Sequence, residues 1–237
     1  MFLHGFAGDA ATWDDVRAEF STTRALTLPG HGTGLVRSSW KTNMEAVANE
    51  VGDSMIVGYS LGARVALGLV ATGRCQRAIL VSVNPGIPDA ERAARRASDA
   101  AWAHLLRTRG PAEFFAAWEA QPLFATQSQV SPERLAARRA RRLVLDPEQL
   151  ARSLEVMGLA EMPDYRGALD DRVALIAGAD DPKYAAIARA CGVRHEIIVG
   201  GHDLPLEQPA ALAAAIERFA LDVHPAARGF APRGRLS

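Results

Sequence analysis

Six short apolar runs punctuate this chain: residues 1–3, 25–28, 55–57, 78–83, 173–177 and 195–199. Each is too short for a stable helix and predicts a strand, and the runs at 55–57 and 78–83 predict buried ones. Between them lie stretches with helical character. Residues 43–51 predict a helix before the third run, residues 61–71 are rich in helix formers, a helical stretch separates the fifth and sixth runs, and a last helix spans about 209–221. Strands alternating with helices predict an α/β domain built on a parallel sheet. One segment breaks the alternation. From about Ile87 to Pro163 the chain is rich in Ala, Arg and Glu and has no strand pattern. Four helices are predicted there, over 91–107, 111–121, 132–143 and 147–158, three of them opened by a proline near the first turn. The core is thus read as residues 1–86 and 164–223, with a helical insertion over 87–163 and a flexible tail over 224–237.

Composition narrows the function classes. At 49% hydrophobic and 23% charged residues the chain is globular, and its formal net charge of zero offers no bulk field for nucleic acid or an anionic membrane. No apolar run approaches the roughly 18 residues of a membrane span. His4, Gly5 and Gly8 interrupt the N-terminus, unlike a signal peptide. Cys75 and Cys191 match no metal spacing, which points to a reduced, cytoplasmic protein. The cations are nearly all arginine: only Lys41 and Lys183 are lysine, beside 25 arginines. That leaves many planar forks able to grip carboxylates.

The chemistry centres on Gly58-Tyr59-Ser60-Leu61-Gly62, set between the third strand and a helix. A serine at the tip of a sharp strand-to-helix turn is held in a strained backbone conformation with its hydroxyl exposed. A side chain two residues away on either side would meet neighbouring backbone, so both positions favour glycine. The helix opening at Leu61 aims that residue's N–H at any developing oxyanion. The loop His4-Gly5-Phe6-Ala7-Gly8 follows the first strand and assigns the second oxyanion donor to Phe6 N–H. His4 and His31 are read as loop-fixing residues, and His104, His195 and His224 as structural or solvated. A serine hydroxyl needs a histidine to take its proton, and that histidine needs a carboxylate. Gly178-Ala179-Asp180-Asp181 and Gly200-Gly201-His202 supply them after the fifth and sixth strands. The Gly-x-x-Asp spacing favours Asp181, with Asp180 as a loop-capping neighbour, and the order Ser, Asp, His is that of α/β-hydrolases.

Taken together, His4-Gly5-Phe6-x-Gly8, Gly58-Tyr59-Ser60-Leu61-Gly62-x-Arg64, Trp118 with Gln121-Pro122-Leu123-Phe124, Gly178-x-x-Asp181-x-Lys183 and Gly201-His202 resemble the MenH family. That family comprises the 2-succinyl-6-hydroxy-2,4-cyclohexadiene-1-carboxylate synthases of menaquinone biosynthesis, on the α/β-hydrolase fold. The resemblance spans nearly the whole chain. It implies a triad of Ser60, Asp181 and His202, an oxyanion hole at Phe6 and Leu61, and a helical lid. It also implies carboxylate-binding Arg64, Arg95 and Arg142, with Arg96 and Arg139 as the nearest rivals to the last two, and a pocket lined by Tyr59 and Trp118. No cofactor or metal is implied, and the substrate is a small polyanion. Three departures stand out: Ala63 replaces a common second glycine, Pro205 stands where a second histidine is frequent, and the chain begins at the usual third strand, so the first two strands are expected to be missing.

The implied reaction is an elimination of pyruvate in which Ser60, deprotonated through His202, takes a ring proton. A carboxylesterase or carbon–carbon bond hydrolase with Ser60 as covalent nucleophile needs the same three side chains. A non-catalytic binding protein on this fold is disfavoured by the complete triad with both flanking glycines. Three arginines around one serine suit a small polyanion and are badly placed for a neutral lipid ester.

Overall fold

A computed structural model describes residues 1–32 and 34–221. Six strands form one sheet: β1 (Phe2–Leu3), β2 (Ala25–Leu26), β3 (Ile56–Tyr59), β4 (Ala78–Val81), β5 (Val173–Gly178) and β6 (His195–Ile198). Their order is β2-β1-β3-β4-β5-β6, and each neighbouring pair is parallel. Strands β3, β4 and β5 are buried at every position, as helices on both faces require. Side chains alternate between the two layers. Leu3, Ile56, Leu80 and Leu175 face the layer of α2 (Trp40–Val51) and α3 (Leu61–Ala71). Phe2, Val57, Ile79 and Ile176 face the layer of α1 (Asp14–Arg17) and α9 (Pro209–Leu221). Burying one such side chain fully is worth about 1.5–3 kcal/mol, so the sheet is a rigid platform. Helix α2 starts at Trp40 because Ser39 and Thr42 form a reciprocal capping box, which sets the first turn ahead of the apolar periodicity.

Between β4 and β5 the chain holds α4 (Asp89–Glu119), a 3₁₀ segment (Pro122–Gln129), α5 (Pro132–Leu143) and α6 (Pro147–Val156). The helices expected over 91–107 and 111–121 run end to end as α4. They are broken at Gly110, whose φ of 75° and ψ of 177° leave the helical region just before Pro111. Ser131 caps α5, and Asp146 caps α6 through the Glu148 and Gln149 N–H groups. The insertion has its own core of Ala103, Leu106, Phe114, Phe115, Leu150 and Leu154. That core includes Ala7, and Phe6 packs against it, so the insertion is built onto the loop after β1.

Two contacts close the return to the sheet: Tyr165 N–H donates to Pro85 O (2.9 Å), and Trp40 Nε1–H donates to the Tyr165 hydroxyl (3.0 Å). Helices α7 (Pro182–Ala190) and α8 (Leu204–Glu207) follow β5 and β6. Among the described residues no helix is long and apolar enough to cross a membrane. The expected tail, with His224, lies outside the described residues.

Candidate active site

Ser60 occupies the turn from β3 into α3 with φ 50° and ψ −106°, a conformation that costs a non-glycine residue energy and persists only where its surroundings impose it. The flanking glycines are set by contact. A Cβ at Gly58 would lie 2.4 Å from Gly62 O, and one at Gly62 would lie 2.2 Å from Leu3 O. The turn is pinned by Ser60 N–H to Val81 O (2.9 Å) and by Arg64 N–H to Ser60 O (3.0 Å). Leu61 begins the helix, so its N–H has no intrahelical acceptor. Phe6 N–H has no backbone acceptor among the described residues. Both residues line the cavity that Ser60 faces.

His202 Nδ1 lies 2.8 Å from Asp181 Oδ2, and His202 Nε2 lies 3.3 Å from Ser60 Oγ. The carboxylate requires the proton on Nδ1, which leaves Nε2 free to accept from the serine. The 3.3 Å separation is long, as is common before substrate draws such a pair together. Asp181 also accepts from Tyr184 N–H (3.3 Å), capping α7. The capping role expected of Asp180 therefore falls to Asp181; Asp180 is exposed, and its backbone N–H donates to Gly200 O (2.9 Å). A Cβ at Gly178 would lie 2.2 Å from both Gly200 O and Gly201 O, so only glycine lets the two loops approach this closely. The histidine loop is braced as well. Ser82 Oγ–H donates to His202 O (3.0 Å), and Glu207 accepts from Gly201 N–H (2.6 Å) and Asp203 N–H (3.2 Å).

His4 and His31 hold loops. His4 Nε2 accepts from Leu28 N–H (2.9 Å), which places its proton on Nδ1 beside Gly5 O (2.7 Å). Burial lowers the His4 pKa to about 4 and that of His31 to about 3, so both stay neutral. His104 and His195 are exposed.

The cavity over Ser60 has a volume of about 330 Å³. Arg64, Arg95, Arg142 and Lys183 line it, against a single lining carboxylate, Asp99, among the described residues. The three arginines differ. Arg142 is buried, with Nη1 on Glu119 (2.8 Å) and Nε on Ala7 O (3.3 Å). Arg95 is gripped by buried Asp99 at 2.9 and 3.0 Å. Among the described residues the Arg64 guanidinium donates only to Met157 O (2.9 Å), and it lies 5.7 Å from the Trp40 ring centre. Burial, then neighbouring Arg95, lowers its pKa to about 10. The rivals point elsewhere: Arg96 pairs with Glu161 (2.5 Å) and is exposed, and Arg139 pairs with Glu119 (3.1 Å) outside this cavity. Tyr59 and Trp118 are also on the wall. Trp118 stacks on Phe114 (5.4 Å between ring centres) and packs against Phe6 (5.2 Å) and Trp102 (5.1 Å).

Sequence reasoning missed Trp102, Asp99 and Tyr184. Arg95, Asp99 and Trp102 are spaced by four and three residues, so helical periodicity places them on one face. Tyr184, whose ring centre is 4.5 Å from that of His202, left no signal beyond following Lys183.

Known proteins resemble this chain in sequence and in fold. Residues 1–215 match a family described as the alpha/beta hydrolase family. A 2-succinyl-6-hydroxy-2,4-cyclohexadiene-1-carboxylate synthase from Klebsiella pneumoniae is 34% identical over 235 residues, covering 92% of each chain. The structure of MenH from S. aureus superposes with a TM-score of 0.86 at 27% identity, covering 93% of this chain and 92% of that one. An esterase from Thermogutta terrifontis shares the fold, with a TM-score of 0.77 at 24% identity, over 94% of this chain and 89% of the other.

Proposed function

The chain belongs to the 2-succinyl-6-hydroxy-2,4-cyclohexadiene-1-carboxylate synthase family on the α/β-hydrolase fold, and from that premise we propose that it eliminates pyruvate from the enolpyruvyl precursor in menaquinone biosynthesis, in the cytoplasm. The observation that carries the proposal is Arg64. A partly buried guanidinium one helical turn past Ser60, held by a carbonyl and by no carboxylate among the described residues, calls for an anionic ligand. Arg95, Arg142 and Lys183 extend the positive wall, as a substrate with several carboxylates needs.

In the proposed mechanism His202 Nε2 takes the Ser60 proton, Asp181 steadies the resulting imidazolium, and Ser60 Oγ removes the ring proton. The electron pair moves onto the adjacent carbonyl oxygen beneath the Phe6 and Leu61 N–H groups. Its return forms the ring double bond and breaks the carbon–oxygen bond; the departing enolpyruvate takes the proton held on His202, which restores the neutral imidazole, and tautomerises to pyruvate. Tyr59 and Trp118 form the wall that holds the ring.

The test is incubation with the enolpyruvyl precursor, generated in situ by the preceding enzyme, while following pyruvate. Sustained release that Ser60→Ala abolishes is expected, with no stoichiometric burst from activated aryl esters. An ester burst followed by turnover, with no pyruvate formed, would overturn the proposal in favour of a serine hydrolase.

A further inference from the structure

Beside the triad lies a buried charge network that the reaction itself does not use. Asp203 directly follows His202, and its Oδ2 accepts from Arg138 Nη1 (2.9 Å) and from Gln127 Nε2 (3.3 Å). Arg138 Nη2 donates to Gln127 Oε1 (2.7 Å) and lies 3.6 Å from Glu119, which in turn holds Arg142. Asp203, Arg138 and Gln127 are all buried, and they come from the histidine loop, α5 and the 3₁₀ segment.

Stability does not account for this network. A buried ion pair is often no better than apolar side chains of the same volume, and here the Arg138 Nε–H is itself buried with no partner among the described residues. What the network does supply is register. It joins the insertion to the residue next to His202, and through Glu119 it joins both to Arg142 on the cavity wall. The base and a carboxylate-binding arginine sit on separate parts of the chain, so their separation is set by whatever fastens those parts together.

We infer that Arg138 is a positioning residue: clasped between Asp203 and Glu119, it fastens the helical insertion to the His202 loop, so that His202 and Arg142 are held at one fixed spacing. This rests on His202 acting as the base and on Arg142 binding a substrate carboxylate. A displacement of about 1 Å in such a constellation costs up to roughly a hundredfold in rate.

Arg138→Met alone strands a buried carboxylate and can fail to fold, so the decisive variant is Arg138→Met/Asp203→Asn, which removes both charges. Pyruvate release and thermal melting are measured on both singles, the double and Arg138→Lys. The expected result is a kcat in the double variant lowered about ten- to a hundredfold with its melting temperature kept. The double should be no worse than either single, and Arg138→Lys should recover part of the rate. A double variant with wild-type kcat, single losses that multiply in the double, or a rate that falls only as the melting temperature falls would each overturn the inference. Absence of pyruvate release from the wild type would strike the proposed reaction instead, so the two failures are distinguishable.

Discussion

Arg64→Ala removes the cavity-lining arginine that has no carboxylate partner among the described residues, and its cost can be worked from its contacts. Arg95 and Arg142 already share their charge with Asp99 and Glu119, whereas Arg64 has only the Met157 carbonyl. A charge-assisted contact to a substrate carboxylate contributes about 1.5–3 kcal/mol, or roughly ten- to a hundred-and-fifty-fold in kcat/KM. A two-pronged grip puts the loss towards the upper end, and Arg64→Lys should recover it only in part, because a point charge cannot reproduce the planar fork. The assay is kcat/KM for pyruvate release at low and moderate salt, with melting temperature recorded because the Met157 carbonyl also loses its donor. The exposed pair of Arg109 with Glu113 (4.0 Å) supplies a control expected to be nearly silent. Arg134 would be a less clean control, since it bridges the insertion to Asp15 (2.6 Å). An Arg64→Ala enzyme within twofold of wild type, or full recovery by lysine, would refute the forked carboxylate site.

Asp181→Asn should lower kcat by about 10²–10⁴-fold with folding intact by circular dichroism, while Asp180→Asn stays near wild type; the reverse result would move the acid by one residue. Arg95→Ala strands buried Asp99 on the wall of an anion site, so its loss in kcat/KM should be partly recovered by Arg95→Ala/Asp99→Asn; equal losses would show that Asp99 exerts no repulsion. His4 and His31 have folded pKa values lowered by burial to about 4 and about 3. Below the ordinary histidine value of about 6.5, the unfolded chain takes up protons that the folded chain refuses. Their stabilisation is therefore present above that pH and is lost as pH falls towards 4. Melting temperature should drop across this window, and less steeply in His31→Gln; an equal slope would rule out the buried histidine as the cause.

The strand–helix alternation, the elbow and the order Ser60, Asp181, His202 are legible in the linear chain because short-range physics sets them. Apolar runs, turn glycines and capping residues act within a few positions, and each site loop directly follows a strand of a parallel sheet. The limits of local reading are equally specific. The Gly-x-x-Asp spacing favours Asp181 over Asp180, but it is the fold that turns Asp181 towards His202, gives it the α7 cap as well and leaves Asp180 exposed. Arg95 and Arg96 differ by one step around α4, which sends the first to Asp99 on the cavity wall and the second to Glu161. Arginines at 134, 138, 139, 141 and 142 crowd α5. Which of them meets Glu119, which reaches Asp203 and which enters the cavity depends on where the insertion lands on the sheet. Ion pairing is fixed by distances between segments far apart in the chain, and tertiary packing alone decides them.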